Sequence, residues 1–134
     1  MERFFNRILR TTGVDPEKFY GYKEINDAFM ETYKTAMNKP EHEQDVAIEQ
    51  AFANALRTCF KLEPDGNGYI GATIFYKRIP DAIDHIQKQG WVGPLPPDVV
   101  RSLGLMRRYY KTQDPKDQVE VFSVITHYLS NYPV

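Results

Sequence analysis

At 134 residues the chain fits one domain, and it is long enough to bury a core of its own. Hydrophobic residues make up 42% of it and charged residues 26%, values that exclude wholesale disorder. A formal net charge of −1 gives no global support to nucleic-acid or anionic-membrane binding, and a single cysteine excludes an internal disulfide.

Nine tyrosines and eight phenylalanines raise the aromatic content to 13%. A tyrosine ring is apolar while its hydroxyl needs a polar partner. The excess therefore suits either a core rimmed by tyrosines or a protein with large contact surfaces. Lone Cys59 favours a reducing or matrix-like space, so an intracellular protein is expected. No apolar run approaches the roughly 20 residues that span a bilayer, and the N-terminus lacks the apolar stretch of a secretory signal.

Residues 2–11 have the pattern of a short amphipathic helix, with Phe4, Phe5, Ile8 and Leu9 on one side and Arg3, Arg7 and Arg10 on the other. This arm, residues 1–14, is expected to pack on the domain or to dock on a partner or membrane surface. Being rich in arginine, it also has the character of a mitochondrial targeting segment. Residues 15–134 are expected to form a single all-helical domain.

Asp15-Pro16 starts the next helix, which runs to about Met37 with Tyr22, Ile25, Phe29, Tyr33 and Met37 as its stripe. Pro40, Glu41 and Glu43 open another, ending near Leu62, with Ile48, Phe52, Ala55, Leu56, Cys59 and Phe60 buried. Glu63 to Gly68 is the clearest turn. The spacing then predicts a helix from about Tyr69 to Gln89, with Ile70, Ile74, Ile79, Ala82, Ile83 and Ile86 inward. Pro80 should kink or divide it and Gly90 should stop it, while a strand over 69–76 is the alternative start. Trp91 to Pro96 is an apolar connector. Pro97-Asp98 begins a helix to about Thr112, with Val99, Leu103, Met106 and Tyr110 in register. Asp114-Pro115 begins the last one, with Phe122, Ile125 and Leu129 inward and Val121 and Tyr128 beside them.

The expected fold is thus all-α: about five to six helices in antiparallel hairpins, stacked as a small bundle or a short αα-solenoid. The stretch from Pro97 to Asn131 is a helix, a tight turn and a helix in about 35 residues. The stretch from Glu41 to Gly90 is a longer hairpin. The rhythm of Asn54 to Phe60, then Ala82 to Ile86, then Gly90-Trp91 resembles helical-hairpin repeats of the tetratricopeptide and pentatricopeptide type. It is also similar to accessory subunits of the cytochrome c oxidase subunit Va kind. That resemblance implies a non-catalytic structural or accessory subunit of a mitochondrial respiratory-type membrane complex, acting through other protein subunits. A cytoplasmic location is the alternative.

Glu63, Asp65 and Asn67 fall at the first, third and fifth positions of an EF-hand-like loop, and Tyr69 would offer its carbonyl. The twelfth position, which should supply a bidentate glutamate, is Ile74, so a plain glycine-rich turn is expected rather than a calcium site. His42, His85 and His127 have no zinc-like spacing, and Cys59 has no base near it in sequence. Arg107, Arg108, Tyr109, Tyr110 and Lys111 alternate cations with aromatics, a pattern that grips phosphates and stacks bases. Tyr110 nevertheless fits the core stripe, and nucleic acid is not the expected partner. Trp91 either plugs the gap between hairpins, the favoured reading, or anchors a partner.

No catalytic constellation and no cofactor site is expected. The partner-binding candidates are Phe4, Phe5, Arg7, Trp91, Arg107, Arg108 and Tyr109. Alternatives to the accessory subunit are a small bacterial or phage adaptor, a degenerate EF-hand-like module and an RNA-binding helical repeat.

Overall fold

The computed structural model describes residues 22–60 and 73–133. These form five helices: α1 (Tyr22–Ala36), α2 (Glu41–Arg57), α3 (Phe75–Lys88), α4 (Pro97–Thr112) and α5 (Pro115–Asn131). The arm of residues 1–14 with Phe4, Phe5 and Arg7, the start at Asp15-Pro16, and the loop residues Glu63, Asp65, Asn67 and Tyr69 lie outside the described residues.

In α1 the steps of three and four bring Ile25, Phe29 and Tyr33 to one buried face, as the spacing predicts. The stripe closes on Ala36, which is buried, rather than on Met37, which is 37% exposed just past the helix end.

 In α2 the buried positions Ile48, Phe52, Ala55 and Leu56 are joined by Ala51 and Ala53. Five buried residues in the six from Ala51 to Leu56 exceed one helical stripe, so α2 has neighbours on two sides. Its alanines let α1 approach closely, and α1 with α2 is the most extensive helix pair.

Four expectations need correction in α3 and α4. The helix begins at Phe75, not near Tyr69, and Thr73 and Ile74 form a turn whose carbonyls accept from Tyr76, Lys77 and Arg78. No strand forms over the described residues 73–76. Pro80 does not divide α3, since Ile79, Ala82 and Ile83 around it are all fully buried and tertiary packing outweighs one missing hydrogen bond. In α4 it is Tyr109, not Tyr110, that enters the core beside Val99, Leu103 and Met106.

The starts of α4 and α5 match the sequence. Pro97 and Pro115 occupy first-turn positions, where a missing N–H costs nothing. Asp114 Oδ1 accepts from Lys116 N at 2.8 Å and caps α5. In α5 the buried line is Val121, Ile125 and Tyr128, with the expected Phe122 and Leu129 only partly buried beside it.

Helix contacts run α1–α2, α2–α5, α5–α4, α4–α3 and α3–α1, which closes a ring. An open solenoid would leave its first and last hairpins apart, so this is a bundle. Tyr33, near the end of α1, bonds to Gly93, just past the end of α3, so these two helix ends lie together. Inside the ring, Tyr76 is fully buried, with ring centroids 5.1 Å from Phe60, 5.1 Å from Tyr109 and 6.1 Å from Phe122. Among the described residues no helix is long and apolar enough to cross a membrane.

Candidate functional site

Gly90 ends α3 with φ of 78°, the left-handed conformation that glycine adopts without strain. Its N–H donates to Gln87 O at 2.9 Å, and Trp91 N donates to Ile86 O at 3.2 Å. This pair of bonds is a Schellman cap. The chain then turns outward at Trp91 and inward at Val92, which is 5% exposed. Gly93 is held on both sides: its N–H donates to the Tyr33 hydroxyl at 3.0 Å, and its carbonyl accepts from Gln87 Nε2 at 3.2 Å. Pro96, also buried, leads into α4.

Trp91 is therefore not a plug between hairpins. It is 58% exposed, and Val92 takes the inward place. The cap at Gly90 fixes which residue faces out, a choice of backbone conformation that apolarity alone does not reveal. The indole and the His85 ring meet edge to face, with centroids 6.2 Å apart and planes at 87°. The result is a large aromatic side chain presented to solvent from a connector tied by two backbone–backbone bonds and two bonds to side chains.

The basic and aromatic run of α4 is not a free patch. Arg107 pairs with Asp84 of α3 at 2.6 Å, and its Nη2 donates to Pro80 O at 3.4 Å. Arg108 pairs with Asp117 of α5 at 2.7 Å. Tyr109 is 5% exposed and lies edge-on to Tyr76. The two arginines thus fasten α4 to opposite neighbours, and Tyr109 leaves the set of contact residues. Tyr110 is the exposed aromatic, at 37%.

A groove of about 290 Å³ opens between α2, α4 and α5. Glu49, Asp98, Arg101, Ser102, His127 and Tyr128 line it. The Glu49 carboxylate accepts from the Tyr128 hydroxyl at 3.3 Å and the Tyr132 hydroxyl at 3.2 Å. Burial, then the nearby Glu49 charge, pushes both phenols above their ordinary acidity range, so they act as donors at neutral pH. The groove offers polar groups of both signs. Beside it, Arg57 of α2 donates to the carbonyls of Tyr132 and, at 3.4 Å, Leu129, while Gln50 Nε2 donates to Tyr132 O and Pro133 O at 3.2 and 3.1 Å. These side chains cap the end of α5.

Cys59 is 2% exposed, and burial pushes its thiol up to about 11, which leaves it protonated at neutral pH. Among the described residues no three His, Cys, Asp or Glu converge as a metal site. His42, His85 and His127 lie apart on exposed positions.

Sequence reasoning missed the Tyr33 hydroxyl, Gln87 and the Glu49 pair of phenols. Tyr33 and Gly93 are 60 residues apart, and Glu49 and Tyr132 are 83 apart. No local pattern links such positions.

No protein-family model, curated protein or solved structure matches this chain.

Proposed function

We propose that the chain is a non-catalytic accessory subunit that docks on other proteins through the Trp91 connector. The observation that carries this reading is the exposed indole on a backbone held by the Gly90 cap and the two Gly93 bonds. Aromatic anchors dominate protein interfaces, and a group fixed before binding loses little entropy on docking. Val46, Val100 and Val119 are also exposed, at 59%, 55% and 71%, and add apolar surface on other helices.

Within that reading, the partner is a respiratory-type membrane complex in mitochondria. Support comes from the arginine-rich sequence of the first residues and from the likeness in rhythm to helical-hairpin accessory subunits. The RNA-binding alternative has less support, because Arg107 and Arg108 each hold a carboxylate. A bacterial or phage adaptor would use the same contact chemistry and differs only in its partner.

The test is affinity capture of the full chain from its native source, beside Trp91→Ala. One defined protein partner retained by the parent and lost by the variant is the expected result. Equal retention by both removes Trp91 from the interface. Co-migration with a membrane complex after mild detergent extraction supports the respiratory assignment, and a soluble partner ends it.

A further inference from the structure

We propose that the Tyr33 hydroxyl is a latch that fixes the Trp91 docking element, so that docking there is coupled to closure of the α1/α3 seam. The proposal rests on the reading of Trp91 as the docking point and adds how that point is held.

Gly93 stands two residues after Trp91 and spans the seam. Its N–H is bonded to α1 through Tyr33, and its carbonyl is bonded to α3 through Gln87. Tyr33 is 8% exposed and stacks on Phe29 with centroids 5.8 Å apart, so the phenol is fixed and the connector conforms to it. A Cβ built on Gly93 would meet the Tyr33 oxygen at 3.7 Å, an ordinary contact. The link is therefore the hydrogen bond and not a close approach that only glycine permits. The α1/α3 pair also joins helices that are not consecutive in the chain, with no tight hairpin turn between them to hold it shut.

If the seam opens, the bond from Gly93 to Tyr33 breaks and Trp91 loses its fixed pose. A partner that needs that pose binds the closed ring more tightly, and by linkage its binding favours closure.

Tyr33→Phe removes the hydroxyl and keeps the ring. Trp91 is the only tryptophan, so its fluorescence reports the connector without a label. In the full chain the variant is expected to keep its far-UV circular dichroism, to lower the fluorescence anisotropy of Trp91, and to speed amide exchange at Gly93 by about two- to tenfold, the range for one lost hydrogen bond. Val121→Ala trims a buried residue on α5, a helix that forms neither side of the α1/α3 seam, and is expected to lower stability while leaving Trp91 anisotropy in the native state unchanged. Anisotropy and Gly93 exchange equal to the parent in Tyr33→Phe overturn the latch, as does equal mobilisation of Trp91 by Val121→Ala. Should Tyr33→Phe fail to fold, Gln87→Ala releases the other side of Gly93 and is read the same way. Partner capture separates the two readings. Loss of capture in Trp91→Ala supports docking, and retained capture ends it while the fluorescence result still decides the latch.

Discussion

Gly90 illustrates how one backbone torsion decides what a surface offers. At φ of 78° it closes the cap that turns Trp91 outward. No atom lies within 4 Å of a Cβ built there, so Gly90→Ala meets no clash and its cost is backbone strain alone. The variant is expected to lose about 1–2 kcal/mol in chemical denaturation. An unchanged midpoint would show that the cap contributes nothing. Trp91→Ala is the counterpart: the side chain is 58% exposed, so stability is expected to change by no more than about 0.5 kcal/mol while partner capture is lost.

Between elements, polar side chains do the joining. At the α4/α5 turn, Asp117 is 6% exposed, accepts from the Thr112 hydroxyl at 2.6 Å, and pairs with Arg108 at 2.7 Å. The Thr112 bond, then Arg108, holds its carboxyl below the ordinary value of 3.8. A depressed folded-state value means that ionised Asp117 stabilises the fold above the ordinary carboxylate range. That contribution falls away as pH drops through 3.8 and below. Asp117→Asn is expected to be less stable at neutral pH and to show a shallower loss of stability in acid. A denaturation series from pH 7 to pH 2 checks both, and parallel acid limbs for the two proteins would remove Asp117 from the account. At the other end of the molecule, Arg57 and Gln50 secure the end of α5 to α2, so each end of the last helix is fixed by a neighbour.

At the scale of the whole molecule the closed ring matters most. In an open stack of hairpins each unit contacts only its neighbours, and the ends can unfold separately. Here α2 touches α5 and α1 touches α3, so no hairpin is terminal. The core around Tyr76 joins Phe60, Tyr109 and Phe122 from three different parts of the chain. Unfolding is therefore expected to be a single transition, with Trp91 fluorescence and far-UV circular dichroism coinciding along a denaturant series. Two separated midpoints would mean that the ring is not one cooperative unit.

The sequence by itself determined the helices and most of their inward faces. Stripes such as Ile25, Phe29 and Tyr33, and punctuation such as Asp114-Pro115 and Gly90, act over three or four residues and are legible locally. Tertiary structure decided the rest. It chose Tyr109 over Tyr110 because the aromatic cluster of Tyr76 and Phe122 lies on that side. It carried α3 through Pro80, closed the hairpins into a ring, and turned Trp91 to solvent while Tyr33 took hold of Gly93. Each of these depends on groups brought together from distant positions, and a spacing rule reaches no further than the next turn of its own helix.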